Sequence, residues 1–391
     1  MKRAAVCISH PRMLGGGSEI TALWLLESVE RDCDVTLLTA GTVAWEQLNQ
    51  FAGTALDPDR ITVRIAPMPQ AVRDAMAGDA VRGAFFARFV RSLGRRFDVC
   101  ISSYNFVQFG RPAIQFIADF SWDDEIRRAY DPVSPGLRGV MQRSTPLRWA
   151  YRGATDLIAG GRFDMRTHRG DVIVANSRWT ADILKQRYDL APRVIYPPVH
   201  TPAADKERPR SGDFVLLGRI SPEKKVVEAI DLIARVRQRG HEVNLHIIGP
   251  LDGSAYSTLV IRRAHEAGAW VKLRGALYGD EKFVELGRHS FGLHMRQREA
   301  FGIVIVEMIK TGVIPFVPAH SAPAEIVEDE RLCFDNEDHA VEIIDRLLRA
   351  PRQLDDIRQG LAARSEFFGT RRFATEVSAL VEEQLAERAT A

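Results

Sequence analysis

The chain has 391 residues, more than one core usually organises, so two domains of ordinary size are expected. Hydrophobic residues make up 46% and charged residues 27%, with a net charge of +2, a balance that carries no nucleic-acid signature. Cys7, Cys33, Cys100 and Cys333 form no CxxC pair and no zinc-finger spacing, and no apolar run approaches the roughly 20 residues that cross a bilayer. The apolar run of residues 4–8 is too short for a signal peptide, so the expected location is the cytoplasm, with at most peripheral membrane attachment.

Residues 3–9 read as a buried strand, followed by a loop over 10–17 and a helix opening at Ser18, whose hydroxyl suits an N-cap. Ile20, Leu23 and Trp24 begin its apolar stripe, and residues 34–39 form the next strand. The first turn carries Gly15, Gly16 and Gly17, a loop able to approach a phosphate or sugar closely, although it is not GxGxxG. Asp57-Pro58-Asp59 has the form of a metal-binding DxD but reads as a turn. Further strands are predicted at 61–66, 98–102, 113–118, 171–175 and 193–196, with helical patterns between several of them. Arg127, Arg128, Arg138, Arg143, Arg148, Arg152, Arg162, Arg166 and Arg169 make one stretch cationic, either a solvated face or a surface for anionic lipid or an anionic acceptor.

Residues 199–213 are polar, proline-containing and unpatterned, the best linker candidate. A second alternation follows: strand 214–217, helix 222–239 ended by Gly240, strand 243–248, helix 254–267, strand 270–274 and helix 280–289. The tail 370–388 is an amphipathic helix with Phe373, Val377, Leu380, Val381 and Leu385 on one face. The predicted fold is therefore α/β, with two Rossmann-like doubly wound domains. These are an N-terminal one over 1–199, joined by the C-terminal helix 370–391, and a second over 200–369. Ligands in such sheets bind beyond the carboxyl ends of the strands, so a site in a cleft between the two is expected.

Residues 291–318 read as two short buried strands with a helix between them, and Glu299 and Glu307 bracket the helix entry. Ile303, Val304, Ile305 and Val306 are core-like, so Glu307 puts a charge into an apolar helix, which is costly unless something pairs with it. A ligand rich in hydroxyls is one partner, and the helix N-terminus beside it favours a phosphate. The alternative is a first-turn carboxylate complementing the helix dipole and a second on a solvated edge. Gly218-Arg219-Ile220-Ser221-Pro222-Glu223-Lys224 follows the first strand of the second domain, with Ser221 as N-cap and Pro222 at the first helical position. Arg219, Lys224 and Lys225 flank that helix start, in a chain with only 8 lysines against 45 arginines. A planar fork beside a compact charge suits a diphosphate, whereas exposed cations on a surface loop would mean nothing.

Taken together, GRISPEK at 218–224, REAFGIVIVEM at 298–308, VANSRWTADIL at 174–184 and GGGSE at 15–19 resemble the retaining glycosyltransferases of family 4, with the GT-B fold. VIYPPV at 194–199 and AEIVED at 324–329 are similar to family patterns as well. The resemblance implies that Arg219 and Lys224 hold the donor diphosphate and stabilise the leaving group. It implies that Glu307 binds the ribose and Glu299 contacts the donor sugar near the reacting carbon. The amides of Phe301, Gly302 and Ile303 would face the sugar and phosphates, Gly16 and Gly17 would close the site, and Arg274 and Gly275 would border the base.

The activity so implied is transfer of a hexose from a UDP- or GDP-sugar to a carbohydrate or lipid-linked hydroxyl, with retention, without a metal and without a cofactor. Fixed cations and helix amides can lower that barrier by preorganised electrostatics. Resemblance favours front-face substitution over the two-carboxylate scheme of glycosidases. Ala118 stands where family members often carry His, and Asp119 and Asp123 in the same place are candidates for the acceptor hydroxyl. Met295-Arg296 replaces a usual Pro-Ser, Lys225 stands where Gly is common, and Ser321-Ala322-Pro323 replaces a usual glycine pair. Two other readings are a sugar-nucleotide epimerase of the same architecture and a catalytically silent nucleotide-sugar binding protein. An epimerised donor without acceptor would mark the first, and tight donor binding without turnover the second.

Overall fold

The computed structural model describes residues 3–74, 79–123, 125–126, 153–161, 168, 170–202 and 209–390. The nine arginines of the cationic stretch all lie outside the described residues. The chain divides into two compact units, Met1–Pro198 with Thr370–Ala391, and Val199–Gly369.

The N-terminal unit holds seven parallel strands: β1 (Ala4–Ser9), β2 (Cys33–Thr39), β3 (Ile61–Ile65), β4 (Val99–Ser102), β5 (Ile114–Ile117), β6 (Val172–Ala175) and β7 (Arg193–Val194). They are ordered β3-β2-β1-β4-β5-β6-β7. The inner strands are continuous apolar runs because helices cover both faces of such a sheet. Val6, Cys7, Ile8, Leu37, Leu38, Ile101 and Ile114 are buried there.

Helix Gly17–Val29 does not start at Ser18 as the sequence predicts. Gly16, with extended backbone, is the N-cap, and no side chain caps the helix. The Ser18 hydroxyl lies one residue inside and donates to Glu19 Oε2 at 2.8 Å. Asp57-Pro58-Asp59 is a turn: Pro58–Arg60 is one 3-10 turn whose N-cap Asp57 accepts from the Asp59 amide.

The C-terminal unit holds β8 (Ser211–Leu217), β9 (Leu245–Ile248), β10 (Val271–Gly275), β11 (His289–Leu293), β12 (Ile314–Pro318) and β13 (Cys333–Phe334), ordered β10-β9-β8-β11-β12-β13 and all parallel. Its centre is aromatic, with Phe214 stacked on Phe291 at 5.2 Å and on Phe316 at 6.0 Å. The expected helix over 222–239 is in fact two pieces. Pro222–Lys224 is a 3-10 turn, Lys225 takes φ 50°, and the α-helix runs Val226–Gln238. The Tyr256 hydroxyl, 2.9 Å from the Val226 amide, accepts the hydrogen bond that a side-chain cap would have taken.

In both sheets the strand order reverses beside the first strand of the unit, at β1/β4 and at β8/β11. Those switch points leave a crevice at the carboxyl ends, because the crossover helices on either side depart to opposite faces. Helix Thr370–Thr390 belongs to the N-terminal unit, where Phe373, Val377, Leu380 and Val381 are buried while Leu385 is only half-buried. Among the described residues no helix is long and apolar enough to cross a membrane.

Candidate active site

The β8/β11 switch point of the C-terminal unit is where charged residues gather. Gly218 and Arg219 follow β8, and the residue after β9 comes so close that a Cβ on Gly249 would stand 2.0 Å from the Gly218 carbonyl oxygen. Only glycine fits there. The 3-10 turn 222–224 ends at the left-handed Lys225, and the Lys224 side chain lies against Gly218, its Cε 3.8 Å from where a Cβ there would stand. Lys224 Nζ donates to Glu299 Oε2 at 2.9 Å, with the two side chains only 17% and 13% exposed.

Glu299 is the hub of the cluster. Arg296 stands 3.4 Å from its carboxylate, and His294 Nε2 stands 3.7 Å from Oε2. Burial alone would raise its pKa, but Lys224, Arg296 and His294 together hold it well below the usual carboxylate range. His294 directly follows β11, its amide bonded to the Phe316 carbonyl at 3.0 Å. Burial and the nearby Lys224 push its imidazole down to about 3, so it is neutral at physiological pH. Its Nε2 is buried and has no hydrogen-bond partner. A neutral ring against an ionised carboxylate can donate to a ligand oxygen or hold the carboxylate in place.

Helix Ile303–Lys310 opens beside this hub. Its N-cap is Gly302 at φ 98°, and no side chain caps its first turn. A Cβ on Gly302 would meet Ile305 and Pro323 at 3.2 Å, so both conformation and space require glycine. The Ile305 amide donates to the Gly302 carbonyl at 2.9 Å, which leaves the amides of Ile303 and Val304 to face an anionic group. Phe301 is buried edge-on against Phe368 at 5.8 Å and fixes the entry into the helix. The Glu299 carbonyl accepts from the Ala322 amide at 3.1 Å, so the segment replacing the usual glycine pair also anchors the hub.

Glu307 is buried on this helix, and Lys282 Nζ from helix Gly279–Leu286 donates to its Oε1 at 2.7 Å. The charge that interrupted the apolar run is thereby paired. Arg219 is 76% exposed, its guanidinium 3.6 Å from Glu223, a loose surface pair that leaves it available. The Arg274 guanidinium is held by Glu285 at 2.9 Å, which leaves its main chain and Gly275, at φ 73°, to shape the end of β10.

The remaining candidates belong to the N-terminal unit. Gly16 and Gly17 open the first helix, and a Cβ on Gly16 would meet Glu19 Oε2 at 2.7 Å. Asp119 lies just beyond β5. Its Oδ1 accepts from Asn105 Nδ2 at 2.7 Å and its Oδ2 from the Tyr104 hydroxyl at 3.1 Å. Burial and Asp119 raise the Tyr104 pKa well above its ordinary value, so the phenol stays protonated. Asp123 is engaged elsewhere: it pairs with Arg187 at 3.0 Å, accepts from the Tyr188 hydroxyl, and caps the amides of Glu125 and Ile126. His10, buried directly after β1, keeps an unpartnered Nε2, with its ring 5.7 Å from that of Tyr104.

Sequence reasoning does not single out His294, Lys282 or His10. The signal for Lys282 is its rarity: two of the eight lysines pair with the two carboxylates of residues 291–318. His294 and His10 each sit one position past a switch-point strand, where a polar side chain can face a ligand.

Comparison with known proteins places the fold in the GT-B class. Anabaena HepE in complex with UDP-glucose aligns at TM-score 0.65 and 16% identity, over 97% of this chain and 100% of that one. Sucrose-phosphate synthase from Thermosynechococcus elongatus aligns at TM-score 0.71 and 13% identity, over 98% and 100%. WaaG, described as a glycosyltransferase involved in lipopolysaccharide biosynthesis, aligns at 0.62 and 14%, over 97% and 98%. Within that class, residues 202–363 match the family model of glycosyl transferases group 1, a span that includes Arg219, Lys224, Glu299 and Glu307. No curated protein matches the chain by sequence.

Proposed function

We propose that this chain is a retaining, metal-independent glycosyltransferase that moves a hexose from a nucleoside-diphosphate sugar to a hydroxyl acceptor. The observation that carries the reading is the buried Lys224–Glu299 pair at 2.9 Å, set against the uncapped amides of helix Ile303–Lys310 at the β8/β11 switch point. The group 1 family match over this unit supports it. UDP-glucose bound to a chain of the same fold supports a uridine diphosphate donor.

Breaking the glycosyl phosphate bond leaves negative charge on the diphosphate and positive character on the anomeric carbon. Lys224 is a donor held in place beside the first charge and the exposed Arg219 guanidinium is free to swing onto it, which together with the helix N-terminus lowers the barrier. Glu299 is ionised and already surrounded by Lys224, Arg296 and His294, so it is suited to orient sugar hydroxyls and lacks the raised pKa of a general acid. The acceptor hydroxyl would then pass its proton to the leaving phosphate oxygen on the same face, with retention. Glu307 would exchange part of its bond with Lys282 for the ribose hydroxyls.

In the N-terminal unit, Asp119 with Tyr104 and Asn105 is the better acceptor-binding candidate, because its partners are neutral and leave its charge uncompensated, whereas Asp123 is neutralised by Arg187. A lipid-linked or phosphorylated acceptor remains consistent with the arginines of residues 127–169. Salt-sensitive binding to anionic but not neutral vesicles is the expected sign of a membrane-borne acceptor.

The test is incubation of purified protein with a panel of UDP- and GDP-sugars, with the anomeric configuration of the first product read by NMR. A retained configuration, with less than about a twofold change in rate on adding Mg2+ or Mn2+, is expected for cation-stabilised chemistry. Inversion, or an absolute requirement for a divalent ion, would overturn the mechanism. Tight donor binding with no turnover would point to the silent binding protein.

A further inference from the structure

A second cluster of titratable groups lies at the opposite, amino-terminal edge of the same sheet. Asp213 on β8, His246 on β9 and His289 on β11 come from three neighbouring strands. Val215 pairs with His246, and the β8/β11 register shifts between His289 and Phe291, which brings the His289 ring to 4.3 Å from that of His246, centroid to centroid. One ligand atom from each lies within 4.8 Å of the others. Both histidines are buried, and neither ring nitrogen of either has a hydrogen-bond partner. Four orphaned buried nitrogens in one place are costly unless something is bound there.

We propose that Asp213, His246 and His289 form a divalent transition-metal site of the zinc type, structural in role and separate from the donor chemistry. His246 Nε2 stands 3.4 Å from Asp213 Oδ2, close to the edge of about 3.3 Å that joins two ligands of a tetrahedral ion at 2.0–2.1 Å. Asp213 Oδ1 accepts from the Asn244 amide and side chain, both at 2.9 Å, which fixes the carboxylate with Oδ2 turned to the histidine. Behind the rings sits Glu285, its Oε1 3.9 Å from His246 Nδ1 and 3.7 Å from His289 Nε2. At these distances Glu285 makes no hydrogen bond to either ring and acts on a bound cation through its charge. Glu285 is itself held by Arg274 at 2.9 Å and Arg288 at 2.8 Å.

Lys272 on β10 faces His246 and opposes a cation, as do Arg274 and Arg288. One ionised Asp213 ligand and Glu285 behind the rings counter that charge. The chemistry selects a borderline ion that accepts imidazole together with carboxylate, in preference to the hard Mg2+ or Ca2+.

The experiment is titration of chelator-treated full-length protein with Zn2+ by calorimetry, and with Co2+ by visible absorption. One ion per chain is expected, with a Co2+ spectrum that lacks thiolate charge transfer, since the four free cysteines are the competing ligands. His246→Asn and His289→Asn should each weaken binding more than tenfold, and Glu285→Gln by about tenfold. Wild-type protein that binds neither ion, or whose Co2+ spectrum carries thiolate charge transfer, would overturn the proposal without reliance on any variant. Full retention of Zn2+ affinity by a folded His246→Asn/His289→Asn double variant would do the same.

Discussion

At the scale of the residue, the candidate site turns on which charges are paired before any ligand arrives. Lys224→Met should lower kcat by about 10²- to 10³-fold, the usual effect of losing a fixed donor to developing negative charge. KM should change less, because the interaction strengthens as the bond breaks. Glu307→Ala should instead raise the donor KM by roughly 10- to 100-fold, matching the 1.5–3 kcal/mol of a hydrogen bond to a charged group. Steady-state kinetics on the two variants separates leaving-group stabilisation from ribose binding, and the same pattern in both would sink the assignment. His294 adds a pH signature. Folded His294 stays neutral down to about pH 3, whereas the unfolded chain takes up the proton near its ordinary 6.5. Stability is therefore full above pH 6.5 and falls by up to about 1.4 kcal/mol per unit as the pH drops below it. Depression of Glu299 adds loss in the same direction below its ordinary 4.5. Denaturant titrations at pH 7.5 and 5.0 should show His294→Gln losing about 2 kcal/mol less than wild type between the two. Equal losses would mean that His294 does not couple folding to protons.

At the scale of the element, the bend at Lys225 decides whether Lys224 reaches Glu299 at all. A non-glycine residue in the left-handed region costs roughly 1–2 kcal/mol. Lys225→Gly should therefore stabilise the folded protein, by about 0.5–1 kcal/mol after the entropy of glycine is subtracted. Thermal melting gives the sign directly, and a destabilised variant would show that the lysine side chain contributes more than its backbone costs. The same bend shows where sequence reading stops. The two doubly wound sheets, the helix over 303–310 and the strand before it were legible because apolar period and glycine punctuation are local signals. The break between Lys224 and Val226 was not, since Pro222 and Ser221 both signal a continuous helix start. What overrides them is the remote hydroxyl of Tyr256. Glu299 and Glu307 were visible as anomalies in an apolar run, but Lys282 and His294, which accompany them, are set by tertiary packing. The cluster of Asp213, His246 and His289 has no linear spacing to read, because its members meet only when β8, β9 and β11 align.

At the scale of the molecule, the last described helix closes the N-terminal unit, not the sheet that precedes it in sequence. Thr370–Thr390 lays Phe373 near Phe116 at 6.4 Å and binds the unit along its length. Ser378 donates to the Ser28 carbonyl, Arg193 pairs with Glu383 at 2.5 Å, and Arg388 reaches Asp98 at 3.0 Å and the Phe97 carbonyl at 2.8 Å. The exposed ion pairs contribute little, since such pairs are worth at most about 1 kcal/mol each. The apolar face decides. Phe373, Val377, Leu380 and Val381 are all buried, and at about 1.5–3 kcal/mol per side chain their loss removes on the order of 6–12 kcal/mol. A domain is typically stable by only about 5–15 kcal/mol, so deletion of residues 370–391 should unfold the N-terminal unit. The C-terminal unit, which buries none of those four side chains in its own core, should survive as a separate transition. Calorimetry of the truncated chain should therefore show one cooperative transition with roughly half the enthalpy, because unfolding enthalpy scales with the number of residues that unfold together. Two intact transitions would show that this helix is dispensable to the sheet it covers.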